Sequence, residues 1–242
     1  MLHAGGEIVK LADLQAVPLP EKTNTYQPVA HADLAMNLQR VASDMLTNYE
    51  FDHSSYGLNK EGQQLFGVHV FRNGSQDMGM SIGFRNSYDK SMSVGIAIGA
   101  SVFVCDNLAL TGEVTIMKKH TVNILTELEE KIVTTIYRSK ANFTNILEDA
   151  EKMKVLNLSN DNAYKIMGLL YGHKVVSPTQ MSVMSKEWLK PVHDDFEPRN
   201  MWSLYNCANS ALKSSPHNKI MEKHIALHET LMGVTGNEFN SL

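Results

Sequence analysis

The chain has 242 residues, 43% hydrophobic and 20% charged, with 26 acidic against 22 basic side chains and a net charge of −4. That is the composition of a globular protein with a real core. It speaks against a dedicated duplex-DNA binder, which is usually strongly basic, and against a DNA mimic, which needs far more acid. No apolar run approaches the roughly 18 residues that span a bilayer, and the N-terminal MLHAGGEIVKLADLQ lacks the basic segment and apolar core of a secretory signal. The expectation is therefore a cytoplasmic protein with no membrane partner.

Residues 1–29 contain Pro18, Pro20 and Pro28 and few periodic apolar positions, which predicts an extended N-terminal arm before a single domain over 30–242. In HADLAMNLQRVASDML, starting at His31, Leu34, Leu38, Val41 and Met45 fall at helical spacing, with Asp33 in the first turn. From Tyr49 the period changes to two. QQLFGVHVFRNG and MGMSIGFRNS predict a hairpin about the turn Arg72 to Ser75. SMSVGIAIG and SVFVCDN follow as strands, with Gly99 as a bend or bulge between them, and GEVTIMKKH closes the β region.

After His120 the pattern is helical. Leu125, Leu128, Ile132 and Ile136 mark a stripe in TVNILTELEEKIVTTIYRSK, and ANFTNILEDAEKMKVL either extends that helix past Lys140 or forms a second one. LSNDNAYKIMGLLYG has Ser159 and Asn160 as caps and Gly172 as a stop. SPTQMSVMSKEWLKP has Ser177 at its N-cap, Pro178 at its first position and Pro191 as terminator. EPRNMWSLYNCANSALKSS and PHNKIMEKHIALHETLMG are the last helices, with VTGNEFNSL as a frayed tail. Strands followed by helices indicate an α+β fold: an antiparallel sheet over about 49–118, an N-terminal helix and a C-terminal helical half.

The two cysteines, Cys105 and Cys207, form no disulfide framework and fit a reducing compartment as small buried hydrophobes. Cys105 ends an apolar strand with no base beside it, and Asp106 and Asn107 read as an Asx-type turn. The fourteen methionines suit core filling or an apolar contact surface.

The run GFRNSYDKSMSVGIAIGASVFVCDNLALTGE, from Gly83 to Glu113, resembles a family of phage- and plasmid-borne proteins that carry a domain of unknown function. Members have G-[LF]-R-N-S-[HY]-D-K-S, then an apolar strand with Gly, then V-F-V-C-D-N-L and G-E. The segment Tyr56 to Phe71 is similar too, and the likeness spans about residues 28–120. Farther on, only MWSLYNCANSAL echoes the family's W-x-x-Y-N-A region. The resemblance implies a setting, a mobile genetic element in a bacterial host, and no established chemistry.

The candidate site is the RNSYDKS segment, expected as a turn between strands. Arg85 and Lys90 would neutralise phosphates, Asn86 and Ser87 position them, and Tyr88 stack on a base. Lys118, Lys119 and His120 would extend that basic surface. The competing expectation is that Asp89 pairs with Arg85 or Lys90 and the loop only caps a hairpin. His224 and His228, four apart on one helix face with His217 seven residues before the first, have zinc-compatible spacing, but Ile225 stands where a zincin has its catalytic Glu. No phosphate-loop or dinucleotide fingerprint is present, and no cofactor is expected.

Two functional classes compete. One is a nonenzymatic mobile-element protein that binds nucleic acid, single-stranded DNA in particular; that single-strand annealing proteins also place helices after a sheet is an analogy of fold alone. The other is a counter-defence protein whose partner is a host defence protein or a small nucleotide signal. A metal-dependent hydrolase is third. Exposed sheet edges and the Pro-rich arm favour a homo-oligomer.

Overall fold

The computed structural model describes residues 6–74, 77–102, 107–216 and 218–236, without the side chains of residues 113 and 114. Within them the fold is α+β. A six-stranded antiparallel meander runs in sequence order: β1 (Glu7–Val9), β2 (Glu50–Asn59), β3 (Gln64–Arg72), β4 (Met78–Ser87), β5 (Val94–Val102) and β6 (Asn107–Lys118). Short connections make this the natural solution, since each strand folds back on its predecessor. The described residues also form seven α-helices: α1 (Leu11–Ala16), α2 (His31–Met45), α3 (Ile124–Val155), α4 (Asn160–Gly172), α5 (Pro178–Leu189), α6 (Met201–Leu212) and α7 (Ile220–Gly236).

The register assigns side chains to two faces, because residues directly opposite one another share a face. His69 faces Ile82 and Ile82 faces Ile98, so these residues share the face that receives α2, where His69 reaches the Ala35 carbonyl. Phe66, Val68, Val70, Ala97, Leu108 and Leu110 form a second cluster on the other face, closed by Ile220, Met221 and Ile225 of α7.

Several expectations change. Of the expected extended arm, the described residues 6–29 pack on the domain: β1 pairs with β2 at Tyr56 to Leu58, and Leu14, Tyr26 and Val29 are buried. Few periodic apolar residues suffice there because a preformed sheet edge and helix α2 supply the rest of the contact. Of the expected strand SVFVCDN, Ser101 and Val102 belong to β5, Asn107 to β6, and residues 103–106 lie outside the described residues. β5 continues through Gly99 to Val102, and β6 begins at Asn107. Gly99 does mark an irregularity, as Ala97 pairs with Thr115 while Gly99 pairs with Leu110. A Cβ there would stand 2.1 Å from the Ala109 carbonyl oxygen, so the close strand approach requires glycine.

α3 is one 32-residue helix, the extended alternative. Leu125 is exposed and Ile124 is buried in its place, while Leu128, Ile132 and Ile136 face inward as expected. The final helix includes residues 234–236 of the expected tail.

The helix signals at Ser159 and Ser177 hold. Ser159 caps α4 by accepting from the Asn162 amide. At α5 the Ser177 hydroxyl accepts from the Gln180 amide while the Gln180 side chain accepts from the Ser177 amide, a reciprocal capping box. Ser177→Ala is expected to cost about 1 kcal/mol, a fall in melting temperature of roughly 2–4 °C by calorimetry.

Candidate functional site

Arg85, Asn86 and Ser87 belong to β4 itself, opposite Phe66, Leu65 and Gln64. They are therefore not in a turn, and all three are buried. Alternation sends Arg85 and Ser87 to one face and Asn86 to the other. Arg85 is only 6% exposed and lies across Gly95, whose missing side chain makes the space. One terminal nitrogen donates to Glu222 at 2.6 Å and to the Asn218 carbonyl at 3.2 Å; the other lies 3.4 Å from the Met117 sulfur. Arg85 thus fastens α7 to the sheet and pairs with neither Asp89 nor a free surface. Arg85→Ala is expected to lower stability by about 1–2 kcal/mol in urea unfolding. The figure is below the 3–5 typical of a broken buried pair because the abandoned Glu222 is half-exposed.

On the opposite face Asn86 is the hub of a buried polar network. Its amide nitrogen lies 2.6 Å from the Val29 carbonyl, which can only accept, so the orientation of the side chain is fixed. The same nitrogen donates to His31 Nδ1 at 3.0 Å, and His31 Nε2 donates to the Gly62 carbonyl at 3.0 Å. Asn86 Oδ1 must then accept, and it does so from His120 Nε2 at 2.8 Å. Each proton position follows from a carbonyl at the end of the chain. Burial lowers the pKa of His31 to about 4 and also lowers that of His120, so both rings stay neutral at pH 7, as the network requires.

Tyr88 completes this interior. Its ring stacks on His31 with centroids 3.8 Å apart and planes 3° from parallel, and its hydroxyl accepts from the His31 amide at 2.9 Å. It is buried and occupied, so it offers no face to a base. Ser87 exchanges hydrogen bonds with Met92 to close the turn.

The turn itself holds Asp89 and Lys90. Burial opposes the charge of Asp89, but donors from Ser91, Lys60 and Gln64 outweigh it and hold the pKa at about 2. Lys90, in the left-handed region at φ +61°, sets its ammonium 4.4 Å above the Tyr26 ring. Pairing of Val94 with Lys118 brings the end of β6 beside this turn. Lys118 is neutralised by Glu127 at 2.7 Å, whereas Lys119 is exposed and has no ion pair among the described residues.

An open groove of about 410 Å³ results, lined by Thr25, Tyr26, Lys90, Ser91, Met92, Ser93, Lys119, His120 and Thr121. Of the residues expected to bind, it brings together Lys90 and Lys119, with His120 at its floor. It excludes Arg85, Asn86, Ser87, Tyr88 and Lys118. Tyr26 and His31 were not expected. Nothing in the Pro-rich segment marks Tyr26, and His31 reads only as a helix start. A larger depression along α3 sets Lys152 and Lys154 against Asp77, Glu148 and Glu151, so it presents no single charge sign.

His224 is buried, hydrogen-bonded to the Leu108 backbone, and burial lowers its pKa to about 4. His228 instead faces Asp149 at 3.3 Å and the Tyr205 hydroxyl at 3.5 Å. Helical spacing brings the two histidines together in sequence, but the packing of α7 between β6, α3 and α6 gives them different partners. Among the described residues no group of three or more His, Cys, Asp or Glu is placed to hold a metal ion. His217, Cys105 and Asp106 lie outside the described residues; Asn107 is buried and donates to Asn206. Cys207 is buried, which pushes its thiol up to about 12. No helix among the described residues is long and apolar enough to cross a membrane. No family model, curated protein or solved structure matches the chain.

Proposed function

We propose that this chain holds a small phosphate-bearing ligand of nucleotide class in the Lys90–Lys119 groove, as an accessory protein of a bacterial mobile element. The observation that carries the reading is the pair of lysines without carboxylate partners among the described residues, at the rim of one groove, in a chain whose overall charge is negative. Two ammonium groups, the four hydroxyls of Thr25, Ser91, Ser93 and Thr121 and an imidazole suit one or two phosphates. The groove volume suits a ligand of that size.

Tracking a single strand asks for more. Site sizes for such binding run to about four nucleotides or more and use cations and aromatic faces along the path. Arg85, Tyr88 and Lys118 are committed to internal or neighbouring partners, which leaves two cations. The small-ligand form of the counter-defence reading, capture of a nucleotide signal, is therefore better supported than a strand-binding protein. The likeness of residues 28–120 to phage- and plasmid-borne proteins supports the setting. No bond-breaking step is assigned.

Calorimetric titration with ribonucleotides at about 50 mM salt is expected to give saturable binding that the double variant Lys90→Ala/Lys119→Ala weakens at least tenfold, roughly 1.4 kcal/mol. Binding of a long single-stranded oligonucleotide with a steep salt dependence, unchanged in that variant, would overturn the reading.

A further inference from the structure

His120 has a feature that phosphate recognition alone does not use. Its Nε2 proton is spent on Asn86 Oδ1, and Asn86 cannot turn over because its nitrogen is held by the Val29 carbonyl and by His31 Nδ1. The neutral ring therefore keeps a bare lone pair on Nδ1, and the structure gives that atom no partner among the described residues. The ring sits at the floor of the groove, its centroid 5.6 Å from that of Tyr26, which in turn lies beneath the Lys90 ammonium. The groove thus offers donors at its rim and an acceptor at its floor.

We infer that His120 Nδ1 reads a hydrogen-bond donor on the ligand, so that the preferred occupant is a phosphate ester whose alcohol part carries a free hydroxyl or amino group, as a ribonucleotide does. This rests on the groove reading above and refines it. Lys90 and Lys119 would take the phosphate, and His120 would accept from a ribose hydroxyl or a base amino group. A phosphate with no donor beside it leaves the lone pair unpaired or requires it to be protonated, and a binding site with an unmatched polar atom discriminates strongly. Asn86 and His31 act only by fixing which nitrogen carries the proton; they are positioning residues.

The test uses the wild-type chain, because His120→Phe removes a donor from the buried network and is liable to misfold. Long-range proton–nitrogen NMR of the imidazoles is expected to show His120 as the Nε2–H tautomer. Saturation with a 5′-ribonucleotide is expected to move its Nδ1 resonance in the direction of an accepted hydrogen bond and to leave His224 unchanged. Calorimetry in parallel compares the ribonucleotide, its 2′-deoxy analogue and inorganic sulfate, a tetrahedral dianion without a proton to donate, with a preference of about tenfold or more for the ribonucleotide over sulfate. Loss of that preference in the deoxy analogue assigns the donor to the 2′-hydroxyl, and its retention assigns it to the 3′-hydroxyl or the base. An Nδ1–H tautomer, or equal binding of sulfate and ribonucleotide with Nδ1 unmoved, overturns the inference while leaving the groove reading intact. Binding of none of the three ligands removes both.

Discussion

Replacing Asn86 by alanine is expected to lower the free energy of unfolding by about 4 kcal/mol, a large part of the 5–15 kcal/mol typical of a domain. The side chain is fully buried and serves three partners at once: it donates to Val29 and His31 and accepts from His120. Truncation strands a carbonyl, an imidazole lone pair and an imidazole N–H in the interior, at about 1–3 kcal/mol each, reduced wherever a water enters the space. Asn86→Asp does not rescue, since a carboxylate has no N–H to give the Val29 carbonyl. The check is a urea titration: the midpoint falls while the slope stays constant. A loss below about 1 kcal/mol would mean that the network contributes little to holding the turn and the segment ahead of α2 together.

Acidification is expected to unfold the chain between about pH 6.5 and 4. His31, His69 and His224 are buried and neutral, each with its pKa lowered by burial to about 4. In the unfolded chain the same rings titrate near 6.5, so below that value the unfolded state binds more protons than the folded one. Their stabilising contribution is complete above about pH 6.5 and is lost as pH falls toward 4, by up to about 3 kcal/mol for each ring. Two of the three tie α2 to the sheet: His31 donates to Gly62, while His69 donates to Ala35 and accepts from Ser54. Asp89, held at about 2, adds a loss of the same sign only below about pH 4. Urea midpoints measured from pH 7.5 down to 4.5 check this. A flat profile between pH 7 and 5 would show that these rings are not held neutral.

Much of the architecture was legible in the sequence because period and capping chemistry are local. The stripe of α3, the caps at Ser159 and Ser177 and the hairpin pairing of β3 with β4 all follow from neighbours within a few residues. The site was less legible. RNSYDKS carries charges and hydroxyls in the proportions of a surface loop, but Arg85 and Asn86 are charged and polar because α7 and the start of α2 bring Glu222 and His31 to them from 137 and 55 residues away. A polar residue with a distant buried partner is indistinguishable, in one sequence, from one that faces water. Lys119 and Lys90 were in view as candidates. Tyr26 was not, since its role depends on a chain reversal that places it under Lys90.

The central claim is that the phosphate site lies at Lys90 and Lys119 and not on the buried RNSY face. Side-chain NMR of the lysines during titration with a ribonucleotide tests it most directly. The account predicts that the Lys90 and Lys119 resonances shift together and saturate at one stoichiometry, while Lys60 and Lys118, paired with Asp89 and Glu127, stay in place. Shifts confined to other lysines, or none at saturating nucleotide, would contradict it.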